Sequence, residues 1–556
     1  MSTTVLSQHL TYSILLLSSV VTFDVQASDH IDEQPRSLLF EPSIQTVSGV
    51  PTTQISPFYM GWDDLQHVAE LGSLGEYSAR GVDDSMVSLT EKDWWGAMAE
   101  ITVVLLLGEL LYVAGQESME EDFDYELDGN AAEYFFDRLT TSDSWKLDDN
   151  GIGMNWGHTY AGAVYFQAFR NYNFNYYEST FAALLASSFW EVFAEYKEVV
   201  SINDQIMTTW GGASLGESFF QVAELLDSKE GWLAMSMSAI FNPSQAVRGW
   251  INSDSPARFN RSDTWDKYTL YSGVLHKTGE LDEQSTATLT LGMKARVDSM
   301  KGNYDRLFGT PSLVNLQMAL GLSERGVEDW ELATDLFLGG YVEQVDSTSA
   351  ARDAWSHRYF IGASTGAEYV SMGQDEDEDF YAVINLLGLS AGRLWHSQDI
   401  SIDLRGDIYG DFAMVKPFAS RDYIKQYGHF WGSKSVLWER GYSYALGHTI
   451  KLAMDIRYLD LMFGASIKSH RWDSIDNKDI ERTSDWNPNY NDLDFKEQRT
   501  RYRVYFRYVI SNVYSLSLNY EQIEREGEFN GIDNSFIYNQ LDDTERRTWI
   551  QLEYSY

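Results

Sequence analysis

Arg547-Thr548-Trp549-Ile550-Gln551-Leu552-Glu553-Tyr554-Ser555-Tyr556 closes the chain in strict alternation. From Trp549 on, Ile550, Leu552, Tyr554 and Tyr556 form one row and Trp549, Gln551, Glu553 and Ser555 the other. Successive side chains of an extended strand point to opposite faces, so this is a strand with one apolar face. Working back along the chain, the same split recurs. In 500–510, Tyr502, Val504, Phe506, Tyr508 and Ile510 oppose Arg501, Arg503, Tyr505 and Arg507. After Tyr458, Leu459, Leu461, Phe463, Ala465 and Ile467 oppose Asp460, Met462, Gly464, Ser466 and Lys468. The polar row is Ser401, Asp403, Arg405 and Asp407 in 400–411, and Thr449, Lys451, Asp455 and Arg457 in 449–457.

A soluble sandwich alternates as well, so alternation needs support. The strands run to about 10–15 residues, longer than the usual 5–6 of soluble sheets and suited to tilted spans of a bilayer. Aromatic residues gather towards strand ends (Tyr268, Tyr271, Tyr359, Phe360, Tyr442, Tyr444, Tyr505, Tyr508), as in an interfacial girdle. An alternating last strand ending on Tyr556 also resembles the C-terminal assembly signal of bacterial outer-membrane barrels. These features predict a transmembrane β-barrel of about 12 antiparallel strands, an even number as single-chain barrels require, over residues 261–556. The spans are predicted to start near Trp265, Ser285, Ser312, Trp330, His357, Phe380, Ile400, Tyr442, Leu459, Arg499, Val513 and Arg546. Residues 417–441, 472–498 and 526–545 read as external loops, Tyr458 and 511–512 as tight turns, and the acidic run 375–379 as a solvated loop. The partners this implies are outer-membrane lipids along the apolar rows and the barrel assembly machinery at the strand ending in Tyr556.

Composition narrows the function. The 556 residues carry 41 Lys+Arg against 83 Asp+Glu, a net charge of −42, so no basic footprint exists for a nucleic-acid backbone. There is no Cys, which removes disulfides, thiolate metal sites and a Cys nucleophile together.

At the N-terminus an apolar run, 12–23, precedes Val25-Gln26-Ala27, with small residues at −3 and −1. Residues 1–27 read as a cleavable signal peptide and 28–90, polar where it begins, as a periplasmic leader. The destination is then the bacterial outer membrane.

Between leader and barrel the period turns helical, giving an α-helical bundle domain over 91–260. A first helix opens at Trp94 and runs to Tyr112, the most apolar stretch of the mature chain, with Glu100 and Glu109 within it. Helix two, 155–173, aligns His158, Gly162, Tyr165 and Phe169 with Arg170 beside them. Helix three, 178–200, aligns Ser188, Glu191 and Glu195 beside Trp190. Ser201-x-Asn203-Asp204 caps helix four, which carries Asp204, Thr208, Gly212 and Gly216 at intervals of four. The pair Gly212 and Gly216 makes a small-residue seam for close helix packing. A fifth segment, 232–241, ends at Asn242-Pro243.

Asn155-x-x-His158-x-x-x-Gly162-x-x-Tyr165, Arg170, Trp190-Glu191-x-x-x-Glu195, Ser201-x-Asn203-Asp204-x-x-x-Thr208-x-x-Gly211, Gly216-Glu217 and Asn242-Pro243 together resemble domain-of-unknown-function family 3943 of bacterial outer-membrane proteins, over roughly 90–260. Thr159 stands where that pattern has Pro. The Glu-rich helix with its Ser-x-Asn-Asp cap is also similar to VanZ-like helical proteins. Neither resemblance implies a reaction.

Asn155, His158, Tyr165, Arg170, Trp190, Glu191, Glu195, Asn203, Asp204, Thr208 and Glu217 are therefore predicted to form a ligand-binding site or a buried polar network, with Gly162, Gly212 and Gly216 as packing positions. The simplest network pairs Arg170 and His158 with Glu191 and Glu195, since buried charges must be paired. No catalytic set, metal site or cofactor is assigned: no helix-borne His follows Glu191 at i+3, as bundle metal sites usually have it. The functional expectation is an outer-membrane protein of envelope or lipid handling. Its alternatives are a solute channel selected by lumen charges such as Arg501, Arg503, Arg507, Asp403 and Asp407, and a lipid or lipopolysaccharide hydrolase with Glu191 or Glu195 as base and His158 as acid.

Overall fold

The computed structural model describes residues 91–115, 136, 139–141, 145–148, 150–195, 200–229, 231–252, 266–279, 286–300, 304–306, 311–324, 326–345, 355–373, 379–421, 441–475, 493–531 and 538–555. The expected signal peptide 1–27, the leader 28–90, the acidic run from Asp375 to Glu378, Tyr556 and most of the long loops lie outside the described residues.

The elements are α1 (Trp94–Gly115), β1 (Trp145–Lys146), α2 (Ile152–Arg170), α3 (Tyr176–Phe189), β2 (Val200–Ser201), α4 (Ile202–Ile206), α5 (Gly212–Asp227), α6 (Trp232–Phe241) and α7 (Pro243–Asn252). Barrel strands follow: β3 (Lys267–Gly279), β4 (Thr286–Asp298), a short β5 (Tyr304–Arg306), β6 (Leu313–Ser323), β7 (Gly326–Val345), β8 (Ser356–Met372) and β9 (Asp379–His396). The set is completed by β10 (Ile400–Val415), β11 (Ser443–Tyr458), β12 (Leu461–Ser474), β13 (Leu493–Val509), β14 (Tyr514–Gly531) and β15 (Tyr538–Ser555).

Each long strand pairs antiparallel with its neighbour; β15 pairs with β3, and β7 with β8, so the sheet closes into a twelve-stranded barrel with β5 as a short extra strand on β7. All twelve expected spans are present, but β14 runs on to Gly531 and β15 begins at Tyr538, so most of the stretch 526–545 expected as a loop is paired strand. The expected turn at Tyr458 is tight, and Leu459, expected in an apolar strand row, makes the turn itself at φ 52°.

Alternation settles the two faces. The polar rows point inward and meet across the lumen: Lys451 Nζ lies 2.7 Å from Asp335 Oδ1, Lys468 Nζ 2.5 Å from Glu368 Oε1, and Arg501 Nη1 3.3 Å from Glu331 Oε1. One end of the lumen is filled by Val370, Met372, Tyr381, Val383, Trp472, Phe495, Ile523 and Phe529, onto which a 3-10 turn, Phe418–Ser420, folds from the β10–β11 connection. Asn539 Nδ2 donates to the Ala419 carbonyl at 2.7 Å and Phe418 N to Glu497 Oε2 at 2.8 Å, pinning that turn inside. The outer rows, such as Val504, Phe506, Leu516, Leu518, Ile550 and Leu552, are exposed. Three girdle aromatics point inward against expectation: Tyr505 donates to Asp455 Oδ1 at 2.5 Å, Tyr271 has Lys294 Nζ 5.3 Å from its ring centroid, and Phe360 packs on Phe337 and Met300 at the other end of the lumen.

Among the described residues, the helices do not enter the barrel. They pack on its outer wall. Outer-row residues Met293, Val314, Leu316, Leu332, Leu336, Tyr369, Ile384, Phe412, Met414, Tyr442 and Tyr444 belong to the same buried apolar cluster as Trp156, Ala163, Phe166, Leu215 and Val222 of the helices. At the wall, α5 supplies Ser214 to Thr365 at 3.4 Å, Ser218 to Thr334, and Gln221 Nε2 to the Pro311 carbonyl at 3.0 Å.

Candidate functional site

The helical stretches carry a polar stripe turned inward, and at one end these stripes converge on Asn203. β2 pairs parallel with β1, tying the chain ahead of α2 to the chain ahead of α4. Ser201 then caps α4, its Oγ accepting from Asp204 N at 3.1 Å. Asn203 Nδ2 donates to Asp148 Oδ1 at 2.8 Å and Asn155 Oδ1 at 2.7 Å, while its Oδ1 accepts from Asp148 N at 2.8 Å and Ser201 Oγ at 3.0 Å. With both ends of the amide committed, the side chain has one orientation. Ser201 N donates to Glu191 Oε2 at 3.0 Å, Trp190 Nε1 to Glu195 Oε1 at 2.8 Å, and Asn150 Nδ2 to Asp204 Oδ2 at 3.2 Å. His158 Nε2 stands 3.6 Å from Asp204 Oδ2.

Two of these elements are not regular α-helix. Residues Trp190–Ala194, at the end of α3, and Met207–Gly211, between α4 and α5, are π-helical turns. Each widens the helix by one residue per turn beside the cluster, a feature that recurs at functional sites. Glu191 lies on the first of them and is buried.

Carboxylate oxygens of Glu191, Glu195 and Asp204 lie within 4.8 Å of one another. Burial, with Asp148, Glu191 and Glu195 close by, pushes the Asp204 carboxyl well above the usual carboxylate range. Burial also lowers the His158 imidazole, with Asp148 pulling it partly back. Both shifts disfavour the charged form of the side chain concerned. At 3.6 Å His158 and Asp204 are neighbours without a hydrogen bond between them, and the three carboxylates have the hard oxygen donors a divalent cation takes.

The structure brings together Asn155, His158, Trp190, Glu191, Glu195, Asn203 and Asp204, with Tyr165 in electrostatic reach of both glutamates. It separates Arg170 and Glu217 from them. The expected pairing of Arg170 with Glu191 and Glu195 is corrected: its Nε and Nη2 reach Glu217 at 2.7 and 2.9 Å, and its Nη1 donates to the Phe174 carbonyl at 2.9 Å. Helix geometry explains this, because Arg170 ends α2 whereas the glutamates lie at the opposite end of the bundle with Asn155. Thr208 contributes backbone, its carbonyl pressed on Gly162. A Cβ on Gly212 would lie 2.6 Å from Gly162 backbone, and one on Gly216 2.9 Å from Phe166 Cδ1, so these glycines set how closely α2 and α5 approach.

Sequence reasoning missed Asp148, Asn150, Tyr442 and Tyr444. Asn155 Nδ2 donates to Tyr442 Oη at 2.8 Å, Tyr442 Oη donates to the Asn150 carbonyl, and Tyr444 Oη to the Asp148 carbonyl at 2.7 Å. The two tyrosines read as girdle residues are the wall's polar contacts to the site. The polar run Asp148-Asp149-Asn150 before α2 was a signal that could have been used; nothing local marks the tyrosines.

Residues 144–244 match the family model described as a domain of unknown function, DUF3943. This is narrower than the resemblance read from the motifs and spans every helical-domain residue of the Asn203 network. No curated protein matches the chain. Among solved structures, a NanC porin is similar at 10% identity over 50% of this chain and 98% of its own, with a TM-score of 0.23. The outer membrane phospholipase A from Escherichia coli is similar at 11% identity over 54% of this chain and 93% of its own, TM-score 0.23. The outer membrane channel DcaP of Acinetobacter baumannii is similar at 11% identity over 52% and 96%, TM-score 0.21. At these values the likenesses carry no functional correspondence.

Proposed function

We propose that this chain, in which a DUF3943 domain is joined to a closed twelve-stranded barrel, is an outer-membrane protein that handles envelope lipid at the barrel's outer wall. The observation that carries this reading is the position of the polar site. Asn155, Asp148 and Asn150 meet Tyr442 and Tyr444 on the outer face, where the apolar rows lie, and not in the lumen. The channel reading is weaker because, among the described residues, the lumen is crossed by ion pairs and closed at one end by Phe418–Ser420. Deleting the chain should change the lipid composition of the outer membrane, and a Glu191→Gln chain that still folds should not restore it. Steady conductance in a planar bilayer with unchanged lipid composition would overturn the reading.

A second reading rests on His158 and Asp204, 3.6 Å apart among further carboxylates: hydrolysis of a lipid ester by acid and base catalysis. Release of free fatty acid from vesicles by the purified chain, lost in His158→Gln, would favour it.

A further inference from the structure

We propose that the helical domain lies within the bilayer beside the barrel, and that the outward faces of α1 and α3 are in contact with lipid acyl chains. This goes beyond the lipid-handling reading and does not depend on it.

The footprint of the helices on the wall fixes their depth. On β3, β4 and β6 the buried outer residues (Tyr268, Met293, Val314, Leu316) are bordered on one side by exposed Val274, Leu289, Leu291 and Leu320. On β9 and β10 the border lies on the opposite side: Ile384 and Phe412 are covered, while Leu387, Leu389, Leu404 and Ile408 are exposed. Exposed apolar wall therefore borders the footprint on one side at β3–β6 and on the other at β9–β10, and the helices cross the apolar belt diagonally.

The helices suit that depth. The 19 residues of α2 extend about 28 Å, near the thickness of the hydrocarbon core. Among the described residues no helix is by itself long and apolar enough to cross a membrane. The bundle is instead apolar outside and polar within: Val103, Leu106, Leu107 and Leu110 of α1 and Phe181 and Leu185 of α3 are exposed. The charged side chains of these helices and their π turns, Glu100, Glu109, Arg170, Glu178, Glu191, Glu195, Asp204, Glu217, Glu224 and Arg248, are buried or half-buried, and the exposed exception, Asp227, ends α5. A domain bathed in water would show the reverse, because an exposed apolar face of this extent has no place in solvent and a charge turned inward is costly unless paired. Contact with acyl chains continues the surface that the neighbouring strands already present.

The absence of cysteine makes the test direct. Leu106→Cys and Leu185→Cys carry bimane introduced in denaturant, with Leu518→Cys on the bare barrel wall and Lys229→Cys in the exposed α5–α6 turn as references. After folding into phosphatidylcholine vesicles, bromines on the acyl chains should quench positions 106 and 185 as strongly as 518, and aqueous iodide should quench only 229. Iodide quenching at 106 and 185 equal to that at 229 would overturn the proposal. Cysteine-linked dimers through position 185 without bromine quenching would place a second copy there and overturn it too. Photolabelling the unmodified chain with a lipid-soluble diazirine covers variants that fail to fold: label is expected in peptides from 94–110 and 176–194, and its confinement to barrel strands would refute the placement.

Discussion

Asn155 donates a hydrogen bond to the hydroxyl of Tyr442, 2.8 Å away and 287 residues later in the chain. A helix side chain thus finds its partner on the outer wall of a barrel, and with Tyr444 and Asp148 the contact makes the wall part of the polar network. Tyr442→Phe leaves the Asn155 amide and the Asn150 carbonyl without that hydroxyl. The expected loss is about 1–3 kcal/mol, read as a lower midpoint for the helical signal in circular dichroism. The barrel's heat-modifiable migration should persist.

Arg170 and Glu217 form the buried pair that joins α2 to α5. Arg170→Met should destabilise the helical domain by about 3–5 kcal/mol, because it strands a buried carboxylate. Glu217→Gln added to Arg170→Met should recover part of the loss, and Glu195→Gln added instead should recover none. A recovery with Glu195→Gln would restore the pairing that the helix stripes suggested.

Stability should depend on pH through Asp204. Its carboxyl is raised in the folded protein, so the stabilising contribution is present at low pH and is lost as pH rises through the folded value. Asp204→Asn is neutral throughout and escapes this loss. Its thermal midpoint relative to the parent chain should therefore climb between acidic and neutral pH, whereas a constant difference would mean that Asp204 titrates normally.

Gly212→Val tests the helix seam. The new Cβ would meet Gly162 backbone at 2.6 Å, where neither side can yield by rotating a side chain. An overpacking cost of about 1–3 kcal/mol is expected, and Gly249→Val in α7, whose Cβ meets nothing within 4 Å, should cost less. Equal melting midpoints for the two variants would mean that the α2–α5 approach is not tight.

The barrel was legible because its information is local. In β15 and β13 every second residue reports a face, and twelve such runs of bilayer length leave closure as the solution without edges. The helical domain was legible to the level of its motifs for a similar reason: Ser201, Asn203 and Asp204 cap one turn within four residues, and Gly162, Gly212 and Gly216 mark a seam by their size alone.

What the linear order could not supply was which stripe meets which. Arg170 and Glu195 both stand on polar stripes, yet the antiparallel run of α2 and α3 puts them at opposite ends of the bundle, and Glu217 of α5 takes the arginine. Nor do periodicities say where a bundle docks. An outer strand row reads as apolar whether it meets lipid or another helix, so the rows of β15 and β11 look alike while Ile550 is exposed and Tyr444 is buried against the Asp148 carbonyl. Sequence determined the alternation, the helices and the capping turn, each fixed by bonds and sterics within a few residues. Only tertiary structure decided that the helices lie outside the barrel and that Tyr442 and Tyr444 complete the Asn203 network, because those choices depend on complementary surfaces brought together from opposite parts of the chain.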